Sequence, residues 1–283
     1  MFEILRHSLA TGVVTTDYPE TPAEICATAR GCPEIDFPKW KDARPATAAC
    51  PTGALSLRDT YGQREVCLDL ALCTFCGRCA EADPGAIRMT PRTELAARHR
   101  RDLRSTARYQ LNAQGLQTGL IEGPKRSTPP SQDPASLGAQ LRQRIHKVLG
   151  RSLHIRQVDA GSCNGCEVEI QALNSPVYDL ERFGMHFVAS PRHADLLLVT
   201  GPVTRNMELA LKKTCDATPE PSVVVAVGAC GCSGGIFGRN YATAGAVDAV
   251  VPVDVYIPGC PPNPHALLHG ILLAVGRLEQ RRG

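Results

Sequence analysis

Thirteen of the 283 residues are cysteine, and three of them form the run CTFCGRCAEADP, which spaces Cys73, Cys76 and Cys79 three residues apart. Thiolates so spaced can grip one soft metal centre from a single loop. The position that would carry a fourth cysteine, just before Pro84, is Asp83. A second group comprises Cys163 and Cys166 in DAGSCNGCEVEI, Cys230 in VGACGCSGGIFG and Cys260 in YIPGCPPNP. The sequence does not start with the ordered charged, apolar and small-residue regions of a signal peptide. An odd, high cysteine count in such a chain reads as metal ligation in a reducing, cytoplasmic compartment, not as disulfides.

The missing cysteine is explained by an internal repeat. ACPTGALSL from Ala49 aligns with ADPGAIRMT from Ala82 when one residue is dropped. Two-cluster ferredoxins carry this duplication, and each of their sites takes three ligands from one copy and the fourth from the other copy's Cys-Pro position. The pattern predicts that Cys50 completes the set of Cys73, Cys76 and Cys79 around one [4Fe-4S] cluster. The second site would fall on Trp40, Ala43, Ala46 and Asp83, which offer no thiolate, so that cluster is lost and Trp40 fills its space. Two rival readings are Asp83 as an iron ligand and a rebuilt site using Cys26, Cys32 and Cys67. Orphan thiols serving as small buried hydrophobes is the simpler account of those three.

The elements that must hold the second group are apolar runs separated by helical stretches: LHIRQVDAG from Leu153, DLLLVTG from Asp195, SVVVAVGAC from Ser222 and VDVYIPGC from Val253. Runs of this kind are strands of a parallel sheet buried on both faces. The expected fold is an α/β C-terminal domain with a flavodoxin-like parallel sheet, preceded by a small α+β ferredoxin-like domain. Ligands of open parallel sheets collect beyond the carboxyl ends of the strands, so Cys163, Cys166, Cys230 and Cys260 should converge there. Four thiolates amid glycines suit a second [4Fe-4S] cluster, with closed tetrahedral zinc as the rival. Cys215 and Cys232 read as ordinary reduced thiols. Glu167 reads either as a favourable charge at a helix start or as a proton-linked group beside the cluster.

Between the two cysteine groups lie ELAARHRRDLRSTARYQL, with helical character, and GPKRSTPPSQDP, a linker by composition. A helix-like LGAQLRQRIHKVLG follows. The expected boundaries are a ferredoxin-like domain over 1–95, a basic helical segment and linker over 96–150, and the α/β domain over 151–283. MFEILRHSLATGVV at the start has amphipathic helical character. A net charge of +3 and 5% aromatic content argue against nucleic acid as a partner. No apolar run approaches the roughly 18 residues of a membrane span.

At these motifs the sequence resembles known families. SCNGCEVEI, GACGCSGGIFG and VPVDVYIPGCPPNP are similar to the small, cluster-bearing subunit shared by respiratory complex I and the group 4 membrane-bound nickel-iron hydrogenases, over residues 151 to 278. The resemblance implies cluster ligands at Cys163, Cys166, Cys230 and Cys260. The complex I form has adjacent cysteines where Asn164 and Gly165 separate Cys163 from Cys166, which favours the hydrogenase branch. The first domain resembles the two-cluster ferredoxin-like subunit of the same complexes, fused here to its neighbour. The implied role is electron transfer through two clusters to or from the active site of a large subunit, without a catalytic site in this chain. Implied partners are that large subunit, membrane subunits, and an electron-donor subunit or ferredoxin, at the cytoplasmic side of the inner membrane. The alternatives are a complex I-like module passing electrons to quinone through a nickel-free large subunit, and a non-redox scaffold.

Overall fold

A computed structural model describes residues 2–19, 21–26, 28–124, 145 and 149–282, without the side chains of 277–282. Almost all of the expected linker, and most of the helix expected from Leu137, lie outside the described residues. The expected N-terminal helix is present as α1 (Phe2–Thr11) and buries none of its residues.

The first half is built on the sequence repeat. Helix α2 (Arg44–Ala48) leads through Cys50-Pro51 into strand β2 (Leu55–Thr60), and α3 (Arg78–Ala82) leads through Asp83-Pro84 into β4 (Ile87–Met89). Strand β1 (Pro33–Ile35) pairs antiparallel with β4. Strands β3 (Gln63–Asp69), β5 (Arg104–Leu111) and β6 (Gln117–Glu122) join β2 in an antiparallel sheet of order β2-β3-β5-β6. The first half is therefore α+β.

Strand β5 corrects the reading of ELAARHRRDLRSTARYQL as helix. Its residues alternate, with Ala107 and Tyr109 turned into the core, and it pairs with β3 from Gln63↔Gln110 to Asp69↔Arg104. The good helix formers Glu, Ala, Leu and Arg masked a period of two, and tertiary pairing overrides such weak propensities. Part of 96–150 thus carries the sheet of the first half rather than a basic helical linker.

The second half is a five-stranded sheet of order β8-β7-β9-β10-β11, parallel throughout. Its strands are β7 (Leu153–Asp159), β8 (Met185–Phe187), β9 (Leu196–Thr200), β10 (Val223–Val227) and β11 (Val255–Ile257). Strand β8, an edge strand with His186 at its centre, lacks a continuous apolar run and escaped the sequence reading. Alternate residues of β9 and β10 feed two cores: Leu196, Leu198, Val223 and Val225 pack on one face, and Leu197, Val199, Val224 and Ala226 on the other. Each such valine or leucine side chain contributes roughly 1.5–3 kcal/mol on burial. Helices α4 (Gly165–Ala172), α5 (Arg205–Asp216), α6 (Gly228–Ser233) and α7 (Pro264–Arg282) complete the α/β architecture. The order of connection reverses between β7 and β9, which opens a crevice at their carboxyl ends.

The two halves share backbone and core. Ala97 N donates to Tyr256 O at 3.0 Å and Tyr256 N returns a bond to Ala97 O at 2.8 Å, so the strap leaving the first half lies along β11. Ala71, Ala97 and Leu103 pack in one cluster with Val199, Cys232 and Tyr256. Proline at 97 removes that N–H and leaves the Tyr256 carbonyl without its partner, a loss of roughly 1–3 kcal/mol. Ala97→Pro should therefore be cut near the strap in limited proteolysis several-fold faster than the parent; equal rates would mean that the bridge does not hold the halves together.

Candidate metal centres

The first cysteine set encloses a small cavity. Cys50, Cys73, Cys76 and Cys79 line it together with Leu55 and Phe75. Cys50 follows α2 and is held by its N–H to Thr47 O at 3.2 Å. The loop carrying the other three is shaped by left-handed backbone at Phe75 (φ 55°) and Gly77 (φ 82°). Phe75 N–H points at Cys73 Sγ over 3.3 Å, and Leu55 N–H at Cys50 Sγ over 3.4 Å. Such donors favour thiolate over thiol. Against them, burial and then the neighbouring cysteine charges push the Cys73 thiol up to about 12, and burial raises Cys79 as well. A metal in the cavity would offset this rise at Cys73 and Cys79, since a bound metal deprotonates coordinating thiols outright.

The positions of the degenerate repeat also come together, without a thiol among them. Trp40 is buried, and its Nε1–H donates to Asp83 Oδ2 at 2.9 Å. Ala43 and Ala46 are fully buried in the same cluster. Gln117 from β6 seals the place, its Oε1 accepting from Ala43 N at 2.7 Å and its Nε2 donating to Trp40 O at 3.0 Å. Indole, methyls and one carboxylate that accepts from the indole N–H thus pack together at these positions.

The second set gathers where the sheet predicts. Cys163 precedes α4, Cys166 lies in its first turn, Cys230 sits in α6 after β10, and Cys260 follows β11. Burial, then the neighbouring Glu167 carboxylate and the other three cysteines, raises Cys166, and burial pushes Cys230 up to about 11. Burial, then Cys163, also raises Cys260. Glycine is required at two contacts: a Cβ at Gly228 would stand 2.6 Å from Cys166 Sγ, and one at Gly235 would stand 2.9 Å from Cys230 Sγ. Both glycines have positive φ. Glu167 is buried beside this set, with Thr200 Oγ1 hydrogen-bonded to its Oε1.

The remaining cysteines are dispersed. Cys26 is exposed, with Sγ 3.0 Å from Thr28 Oγ1. Cys32 is buried near Arg92, and Cys67 sits mid-strand on β3, opposite Ser56 and Thr106. The structure does not bring these three together. Cys232 is fully buried with Sγ donating to Ala226 O at 3.5 Å, and Cys215 packs against the same core. Among the described residues no three His, Cys, Asp or Glu side chains share the close spacing of a single metal ion. A cluster set differs in this respect, since its thiolates bind separate irons.

Ser233 links the two sets, and sequence reading gave no sign of it. Its Oγ lies 2.8 Å from both Ala71 O and Ala229 O, sharing one proton between them. Ala71 stands two residues before Cys73, and Ala229 is adjacent to Cys230. Arg30 was missed as well, although its Nη1 donates to Cys76 O at 2.8 Å.

Comparison with known proteins bears on the second set. Formate hydrogenlyase subunit 7 of Escherichia coli is 50% identical over 143 residues, 50% of this chain and 56% of that protein. The chain thus spans little more than half of that relative. A probable membrane-bound hydrogenase subunit of Pyrococcus furiosus is 50% identical over 134 residues, 47% of this chain and 80% of its own length. An NADH-quinone oxidoreductase subunit of Citrifermentans bemidjiense is 46% identical over 117 residues, 41% of this chain and 68% of its own length. Residues 163–274, which contain Cys163, Cys166, Cys230 and Cys260, match one family throughout, and the chain belongs to it: NADH ubiquinone oxidoreductase, 20 Kd subunit.

Proposed function

We propose that this chain is the electron-transfer subunit of a membrane-associated, group 4 nickel-iron-hydrogenase-like complex, with two [4Fe-4S] clusters in series. Cys50, Cys73, Cys76 and Cys79 hold the first, in a ferredoxin-like domain whose other site has been filled. Cys163, Cys166, Cys230 and Cys260 hold the second, next to the large subunit's active site. The observation that carries the reading is the Ser233 hydroxyl between Ala71 O and Ala229 O, which joins the two cysteine loops inside one core.

A bound cluster supplies a one-electron carrier at each place. The protein's part is to provide thiolates, hold the loops at constant separation and keep water from the sulfurs. Backbone N–H groups at Leu55 and Phe75 stabilise charge on Cys50 and Cys73. Gly228 and Gly235 make room beside Cys166 and Cys230, where any side chain would intrude on a bulky inorganic core. Convergence of ligands from three separate strand ends weighs against zinc, whose structural sites are usually closed by short knuckles.

The hydrogenase branch is favoured by Asn164 and Gly165 between Cys163 and Cys166, and by two hydrogenase-type relatives at 50% identity. A complex I-like module reducing quinone through a nickel-free large subunit is the second reading, supported by 46% identity to the NADH-quinone oxidoreductase relative. No described helix is long and apolar enough to cross a membrane, so attachment falls to partner membrane subunits. The electron donor would be another subunit or a ferredoxin.

Purification of the native complex through this chain, followed by metal analysis, should give about one nickel per copy in a co-purifying large subunit; a large subunit without nickel that reduces quinone would replace the first reading with the second. Within the chain, Cys50→Ser should lower iron by about four atoms, whereas Asp83→Cys should leave iron unchanged because Trp40, Ala43 and Ala46 supply no other ligands. A gain of about four irons in Asp83→Cys would overturn the assignment of that residue to the filled site.

A further inference from the structure

Arg30 lies across the loop that carries the first cysteine set, and its backbone is fixed to do so. Gly31 N donates to Thr90 O at 2.8 Å and Cys32 N to Arg92 O at 2.8 Å, extending the β1–β4 pairing beyond the strands themselves. A Cβ at Gly31 would stand 2.4 Å from Arg92 O, so only glycine allows this approach. From that anchor the Arg30 side chain crosses Gly77, its Cδ and Nε 3.7 Å from where a Cβ of residue 77 would be. Nη1 ends on the Cys76 carbonyl at 2.8 Å. The guanidinium is thereby held between the second and third cysteines of the run. Glu81 stands 3.9 Å from Nη2, but both side chains are largely exposed, and such an ion pair contributes little.

We propose that Arg30 sets the reduction potential of the first cluster by keeping a fixed positive charge against its ligand loop. The inference rests on the assignment of Cys50, Cys73, Cys76 and Cys79 to a cluster. Reduction adds one electron and makes no bond, so the site becomes more negative by one charge. A cation held within several ångströms stabilises the electron-loaded form over the oxidised one, and hydrogen bonds and charge near the sulfurs are recognised levers on potential. Arginine suits the task because it never loses its proton, and because its hydrogen bond to a carbonyl is charge-assisted. A neutral donor at the same place would clamp the loop without this bias.

The test is a potentiometric titration followed by electron paramagnetic resonance on the full chain, with iron content measured in every variant. The signal lost in Cys50→Ser identifies the first cluster, and the other signal serves as the internal reference. Arg30→Gln keeps a donor without charge, and Arg30→Lys keeps charge without the planar fork. The expected result is a shift of about tenfold toward the oxidised form in both Arg30→Gln and Arg30→Ala, or about 59 mV more negative. Arg30→Lys should stay near the parent. A parental potential in Arg30→Gln, an Arg30→Lys shift equal to that of Arg30→Ala, or loss of iron from all three variants would overturn the proposal in favour of a purely structural clamp. If the parent has no signal that Cys50→Ser removes, the cluster assignment itself fails.

Discussion

Thiolates gathered at one place repel one another unless positive charge lies among them, and both cysteine sets come under this constraint, the first half-buried throughout and the second with Cys163 and Cys260 exposed. Burial raises Cys73, Cys79, Cys166, Cys230 and Cys260, and neighbouring cysteine charge raises each further. A flexible chain would escape the repulsion by turning the sulfurs outward into water. Here strand ends, left-handed turns and glycines beside the sulfurs fix the loops, so on the proposed assignment the repulsion is relieved by iron.

On the proposed assignment, the positions around Trp40 display the same constraint in reverse. Once the thiols are absent, nothing calls for a cation, and the volume must be packed or it becomes a cavity. Trp40 supplies bulk, and the carboxylate that stands in the old Cys-Pro position is satisfied by the indole N–H. Gln117 then ties down the backbone at Trp40 and Ala43. The hairpin of β5 and β6 that provides Gln117 comes from the region expected to be a linker. It reinforces the half of the repeat whose matching positions carry no thiol.

The chemistry of the chain was more legible than its connections. Cysteine spacing and the repeat marked the first set, and cysteines at the ends of apolar runs marked the second together with four of the five parallel strands, because ligand-like spacing and two-faced burial each leave a local pattern. Strand β8, at the sheet edge with His186 at its centre, leaves none, whereas the equally short β11 lies within the longer run VDVYIPGC. Strand β5 carried its alternation inside a helix-favouring composition, and only its pairing with β3 decides the matter. Ser233, Arg30 and Gln117 act through contacts between distant segments, and single polar residues of this kind carry no periodic signal. The strap at Ala97 and its bridge to Tyr256 belong to the same class. The two halves are marked off in the sequence by their separate cysteine groups, whereas their shared core is a property of the fold alone.

The central claim is that one chain carries two four-iron clusters, one in each half, with the duplicated third site closed. Iron and acid-labile sulfide per chain, measured on anaerobically purified protein, test it most directly. The account predicts about eight of each. About four would mean that one cysteine set does not hold a cluster, and about twelve would mean that the site filled by Trp40 is not closed.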